Sequence, residues 1–239
     1  MAKRIAIATI GTLGDVQPFV ALAMTLKKRG YSVVIGTSED TLANARGELE
    51  RAAPGRVLAL RADVRSPADM TAACEAAVSR FGGLDALVNN AGVGLFRAVS
   101  EMTADEWQRL FDVNVTGVFN ATRAALPHLR ARNGGWIMNV SSLSATAPFA
   151  NGAAYCATKA AVDAFTEALM QELRHDGIRV ASVAPGSVDT SFGGGGRDKR
   201  SWALQPGDVA QAIADLMAHA GRALPSRIEI RPSQPPRKG

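Results

Sequence analysis

Aromatic residues make up only 5% of this 239-residue chain, cysteines number two and histidines three, and each scarcity excludes something. A nucleic-acid reader needs a basic patch interleaved with stacking aromatics. Here the net charge of +5 is spread thinly, clustering only at Lys27-Lys28-Arg29, at 197–200 and at Arg237-Lys238, so no nucleic-acid partner is expected. Cys74 and Cys156 have no metal-ligand spacing, which suits a reducing compartment. His128, His175 and His219 fall near predicted helix ends, where a cation complements the dipole. They have no partners at ligand spacing, so no metal is expected. No apolar run is long enough to span a bilayer and no leader pattern stands out. The expectation is a cytoplasmic protein without a membrane partner.

What is present suits a soluble globule with a sizeable core: 47% hydrophobic and 21% charged residues, in a length that fits one large α/β domain. Apolar, β-rich runs at 4–10, 32–35, 56–60, 86–88, 136–140, 179–183 and 227–230 alternate with helical stretches. Strands apolar on both faces, each followed by a helix, predict a parallel sheet covered on both sides. The predicted fold is one Rossmann-like, doubly wound α/β domain with seven parallel strands. In such sheets ligands bind at the carboxyl ends of the strands. The run 191–197 (SFGGGGR) reads as a candidate lid, and 232–239 as a frayed tail.

One spacing carries chemistry. Twelve residues separate Ser142 from Tyr155, and three separate Tyr155 from Lys159. Four positions apart on a helix, Tyr155 and Lys159 share a face, and the Ala- and Leu-rich sequence after Tyr155 predicts that helix. An ammonium beside a phenol lowers its pKa, so Tyr155 is expected to exchange a proton near neutral pH. Alone, a YxxxK pattern more often marks a solvated helix face; its surroundings decide otherwise here.

Those surroundings are six motifs in order. Asp63-Val64 follows the third strand, and Asn89-Asn90-Ala91-Gly92 follows the fourth. Asn114 sits in DVNVTG, Ser142 in NVSSLSA, and Tyr155 and Lys159 in YCATK. Pro185-Gly186-Ser187-Val188-Asp189-Thr190 follows the sixth strand. With these motifs between 57 and 230, residues from about 41 to 239 resemble the short-chain dehydrogenase/reductase family. The resemblance implies NAD(P)-dependent interconversion of an alcohol and a carbonyl in a small-molecule substrate. It implies Tyr155 as acid/base, Ser142 as substrate orienter, Lys159 as pKa modulator and ribose ligand, and Asn114 in a water relay. Asp63 and Val64 would lie by the adenine, and Asn90, Ala91, Gly92, Pro185, Gly186, Val188 and Thr190 along the cofactor. A homodimer or homotetramer packed through the helices of Asn114 and Tyr155 follows from the same resemblance. Asn89 reads as a loop tie, Ser141 as structural and Asp189 as a loop residue. The substrate pocket is expected from 92–95, 145–149 and 187–202, with Trp202 over the substrate or in helix packing.

The first forty residues depart from that pattern. The family's opening TGxxxGxG lets bare backbone approach a pyrophosphate at a helix N-terminus. Here Gly11 and Gly14 remain as candidate contacts, but Asp15, Gln17 and Phe19 fall where glycines are needed. A carboxylate at Asp15 repels phosphate. Residues 1–40 instead resemble the β-α-β opening of two-domain, GT-B type sterol and antibiotic glucosyltransferases, whose GTxGDVxPxxAL pattern they carry. The chain thus reads as a chimera, designed or recombined. The alternative to an active oxidoreductase is a folded scaffold with weak or absent cofactor binding. Local sequence supports folding: Asp15 caps the first helix, Pro18 suits its first turn, Val20, Ala23, Met24 and Leu26 form its apolar face, and Gly30 ends it. At the second strand's end, Thr37 and Ser38 supply neither the acid of NAD users nor the Arg of NADP users. The missing acid favours NADP, while Glu39 and Asp40 favour NAD; NADP is the first expectation and NAD the second.

Overall fold

A computed structural model describes residues 4–8, 17–37, 55–190, 192 and 201–235. Gly11, Gly14, Asp15, Ser38, Glu39, Asp40, the glycine run at 193–196 and the end of the tail at 236–239 lie outside the described residues, as do the side chains of Gln17 and Phe19.

Strands and helices alternate as β1 (Arg4–Ala8), α1 (Gln17–Lys28), β2 (Ser32–Thr37), β3 (Val57–Arg61), α2 (Pro67–Phe81), β4 (Ala86–Asn89), α3 (Ala104–Phe111), α4 (Gly117–Ala131), β5 (Gly135–Val140), α5 (Ala153–Leu173), β6 (Ile178–Pro185), α6 (Pro206–Ala218) and β7 (Arg227–Ile230). The strands pair in parallel in the order β3-β2-β1-β4-β5-β6-β7. This is the expected Rossmann-like α/β architecture. The order reverses between β1 and β4, the switch point where such sheets open a crevice.

Period-two alternation explains why both faces are covered. Ala86 and Val88 of β4, Trp136 and Met138 of β5, and Ala181 and Val183 of β6 enter one core with α1 and α6. Their neighbours Leu87, Ile137 and Val180 enter the other, under α2, α4 and α5. Leu26 and Leu129 are fully buried in opposite cores, and each such burial contributes about 1.5–3 kcal/mol.

Helix ends follow local chemistry. Ser66 caps α2 by accepting from Asp69 N, with Pro67 next to it. Thr103 and Glu106 form a capping box on α3. Gly30 ends α1 with φ +85°, as expected, and its amide donates to Lys27 O. The expected face of α1 needs one correction. Val20, Ala23 and Leu26 are buried, but Met24 is 41% exposed and Leu22 is buried instead. The helix packs against α6 as well as the sheet, which turns the buried stripe toward position 22.

Between α3 and α4 the chain makes one π turn, Asp112–Thr116, closed by Gly117 N donating to Asp112 O. Asn114 sits in that turn, in the helical interruption where the sequence places it. A side chain on Gly117 would put its Cβ 2.4 Å from Val64 Cγ2, so only glycine lets α4 begin against the loop after β3.

Candidate active site

The ends of β4, β5 and β6 converge on a cleft of about 640 Å³ lined by Asn90, Gly92, Ser142, Tyr155, Lys159, Pro185, Gly186, Val188 and Thr190. These sequence-selected residues come together at one place although they span positions 90 to 190. Ala91 is buried in the loop between Asn90 and Gly92, and Val64 is buried beneath α4. Thr37 is buried at the end of β2, and among the described residues its Oγ1 has no hydrogen-bond partner.

Ser142 lies two residues beyond β5 with an extended backbone, and its Oγ accepts from Ser144 N. Tyr155 and Lys159 both lie in the first two turns of α5 and both are buried. The Lys159 Nζ donates to Val140 O at 2.9 Å and stands 5.9 Å from the centroid of the Tyr155 ring. Burial lowers the Lys159 pKa to about 8, with Asp163 one helical turn away working in the opposite direction.

The expected tuning of the phenol is corrected here. Burial raises the Tyr155 pKa above its ordinary value of 10, while the nearby Ser142 and Ser144 hydroxyls pull it partway back. Spacing on a helix puts Lys159 near Tyr155, but its ammonium is held by the Val140 carbonyl. Dehydration of the phenolate therefore outweighs the charge.

Asn114 is committed on every side. Its Oδ1 accepts from Val93 N at 2.8 Å, and its Nδ2 donates to Val93 O and Thr158 Oγ1, each at 3.0 Å. Asn89, expected to tie loops, instead joins a core network between regular elements: its Nδ2 donates to Thr122 Oγ1 of α4 and Asn139 Oδ1 of β5, and Asn139 Nδ2 continues to Thr166 Oγ1 of α5. Ser141 donates to Lys159 O at 3.4 Å. Asp189 N donates to Leu204 O in the loop beyond β6.

Asp63 is gripped by Arg65, whose backbone amide and guanidinium both donate to its carboxylate. The hydrogen bond from the Arg65 side chain is the main reason its pKa lies below the usual carboxylate value. Sequence reasoning missed Arg65. It also missed Phe96, Ser144 and Arg231 on the cleft wall; Trp202 and Phe149 line the cleft where expected. Nothing in the spacing of Phe96 or Ser144 marks them, because loops rather than helical periodicity bring them in.

Among the described residues no cluster of His, Cys, Asp or Glu could hold a metal ion, and no helix is long and apolar enough to cross a membrane. Both cysteines are free and buried, and burial raises the Cys74 thiol to about 11.

Comparison with known proteins identifies the family. Residues 20–201, more than half of the chain, match the family described as short chain dehydrogenase. An uncharacterized oxidoreductase of Staphylococcus aureus (strain N315) is 32% identical over 213 residues, covering 89% of this chain and 91% of that protein. Among solved structures, an alcohol dehydrogenase of Thermococcus sibiricus complexed with 5-hydroxy-NADP superposes with a TM-score of 0.85 at 25% identity, over 99% of this chain and 100% of that one. A 3-ketoacyl-(acyl-carrier-protein) reductase of Brucella melitensis complexed with NADH does so with a TM-score of 0.85 at 32% identity, over 97% of each. With its motifs, its fold and these relatives in agreement, the chain belongs to the short-chain dehydrogenase family.

Proposed function

We propose that this protein is an NAD(P)-dependent oxidoreductase that interconverts an alcohol and a carbonyl in a small-molecule substrate. The observation that carries the reading is the convergence of Ser142, Tyr155 and Lys159 on one cleft at the strand ends. The residues fit a nicotinamide dinucleotide. Lys159 is a buried ammonium whose one hydrogen bond among the described residues goes to Val140 O, so it keeps donors for ribose hydroxyls. Thr37, Asp63 and Val64 would flank the adenosine half. Asn90, Ala91, Gly92, Pro185, Gly186, Val188 and Thr190 would line the rest, as would Gly11, Gly14 and Ser38 in segments outside the described residues. NADP is the preferred form and NAD the second.

When bound, that cofactor supplies or accepts a hydride. The chain's own groups manage the oxygen. Tyr155 donates its phenolic proton to the oxygen as negative charge grows on it, and Ser142 donates a hydrogen bond to the same atom. A phenol kept protonated by burial is suited to this donor role. Lys159 offers a cation behind the phenol, and Asn114 holds Val93 in the loop after β4 against α5; the family resemblance gives Asn114 its part in a water relay. Phe119 on α4 is 47% exposed, which supports a homodimer or homotetramer built through α4 and α5.

The loop at 11–18 carries a second reading. It departs from the family's glycine pattern, it resembles a glucosyltransferase opening, and the family match begins at residue 20. On that reading the chain is a recombined scaffold with weak cofactor binding and no turnover. Calorimetry with NADPH and NADH separates the two. Micromolar binding, with carbonyl reduction abolished by Tyr155→Phe, supports the oxidoreductase. A cooperatively folded protein that binds neither at millimolar concentration supports the scaffold.

A further inference from the structure

Beside its Ser142 and Ser144 hydroxyl neighbours, the Tyr155 ring packs against other aromatic rings, in a chain otherwise poor in aromatics. The Phe96 ring lies 5.4 Å from the Tyr155 ring at 87°, and the Phe149 ring lies 5.5 Å from Phe96 at 60°. On another side Phe192 lies 5.7 Å from Tyr155 at 59°. All three phenylalanines line the cleft. Phe96 and Phe149 are nevertheless 43% and 47% exposed, so two rings at the cleft present apolar surface.

The backbone makes room for these rings. A Cβ on Gly94 would stand 2.5 Å from the Phe192 ring, and one on Gly152 would stand 2.6 Å from the Phe149 ring. Any other residue at either position displaces its ring. The charged side chains lining the cleft are Lys159 and Arg231, and Arg231 donates to Glu229 at 2.7 Å. Among the described residues no carboxylate lines the cleft.

We propose that this site takes an aryl carbonyl or aryl carbinol. The substrate ring packs edge-on among Phe96, Phe149 and Phe192, and its oxygen meets the Tyr155 and Ser142 hydroxyls. The inference rests on the oxidoreductase reading and names its substrate class. In the reducing direction the C=O π bond breaks. A C–H bond forms with hydride from a reduced nicotinamide dinucleotide, which leaves oxidised. An O–H bond forms with the Tyr155 proton, which solvent then restores. Edge-to-face pairs prefer a ring with a positive edge and negative face, which a saturated ring of the same size lacks.

The test compares acetophenone with cyclohexyl methyl ketone, which match in size and differ in aromaticity. Saturation-transfer NMR reads binding without chemistry, and NADPH oxidation reads turnover. The expected result is a preference for acetophenone of roughly 10- to 100-fold, two ring pairs of ordinary strength. In Phe96→Leu, with an unchanged melting curve, one ring pair is lost and that preference falls to roughly 3- to 10-fold. Equal or better binding and turnover of cyclohexyl methyl ketone overturns the aryl assignment and leaves the oxidoreductase reading standing. Acetophenone binding that Phe96→Leu weakens, with no turnover of either ketone, upholds the aryl pocket and counts against the oxidoreductase. No acetophenone signal at millimolar concentration overturns the aryl assignment whatever the activity.

Discussion

Asn114 and Val93 exchange two hydrogen bonds, Val93 N to Asn114 Oδ1 at 2.8 Å and Asn114 Nδ2 to Val93 O at 3.0 Å. One side chain thus completes both backbone groups of a residue in the loop after β4, as a neighbouring strand would. A third bond, from the same Nδ2 to Thr158 Oγ1, ties the pair to α5 next to Lys159. The π turn is what delivers a helix side chain to this spot, since the extra residue shifts Asn114 out of ordinary helical register.

Asn114→Ala leaves the Val93 amide and carbonyl buried without partners. The expected loss is about 2–4 kcal/mol, from the usual cost of unsatisfied buried groups. Asn114→Asp can still accept from Val93 N but cannot donate to Val93 O or Thr158, and it places a carboxylate against two acceptors. It is expected to be at least as damaging at pH 7. Urea denaturation measures both, and amide exchange at Val93 reports whether the loop itself opens. An Asn114→Ala protein with wild-type stability and a protected Val93 amide would refute the clamp.

The Lys159 ammonium gives stability a direction with pH. Its pKa falls from 10.5 to about 8 in the folded state. Below pH 8 the fold carries a dehydrated charge that the unfolded chain keeps in water. Between about 8 and 10 the unfolded chain binds more protons, so stability rises with pH. Above pH 10 Tyr155 opposes this, since its raised pKa means stability is lost as the unfolded phenol ionises first. The buried charge costs about 3 kcal/mol at neutral pH. Lys159→Met removes that cost and leaves the Val140 carbonyl unpaired, for a net stabilisation of about 1–2 kcal/mol at pH 7. The gain should vanish by pH 10. Denaturation curves at pH 7, 8, 9 and 10 decide it: a variant less stable than wild type at pH 7 would show that burial is not the ruling term.

How much of this was legible beforehand depends on what each residue answers to. The strands were readable because residues such as Val88 and Ile137 serve two buried faces and must be apolar. Ser142, Tyr155 and Lys159 were readable because spacing on one strand end and one helix sets their geometry. The direction of the Tyr155 shift was not, since burial is a property of the packed site and Phe96 and Phe192 cover the ring from loops distant in sequence. Arg65 was missed for a related reason. Its neighbour Asp63 carries the motif, and only the turn after β3 folds the guanidinium back onto it. Met24 was misassigned because α1 meets α6 as well as the sheet, a second partner that its own periodicity does not announce.

Asn89, Asn139, Thr122 and Thr166 form a polar chain through the core between β4, β5, α4 and α5. Asn139 is fully buried and bridges the other members. Asn139→Ala removes an acceptor from Asn89 and a donor to Thr166, and the expected loss is about 2–4 kcal/mol. Because the chain links elements far apart in sequence, the loss should appear in global unfolding with an unchanged denaturant slope. A reduced slope would mean instead that the native state has loosened locally.

Asp163 supplies the last test, because it faces two cations with different needs. Its Oδ2 pairs with Arg227 of β7, while its Oδ1 is buried with no partner among the described residues, one helical turn beyond Lys159. Arg227 also pairs with Glu229 at 3.3 Å, so Asp163→Asn does not strand it. The stability change should stay near about 1 kcal/mol, the worth of a partly exposed pair. Among the described residues no second carboxylate acts on Lys159. Asp163→Asn should therefore push the Lys159 pKa below about 8, while Glu229→Gln should leave it in place. Selective isotope labelling of lysine, with the Nζ-adjacent carbon followed by NMR through pH 6–10, reads the midpoint directly. A midpoint unmoved in Asp163→Asn would mean that burial alone sets the charge of Lys159. It would also mean that the Arg227 pair only fastens β7 to α5.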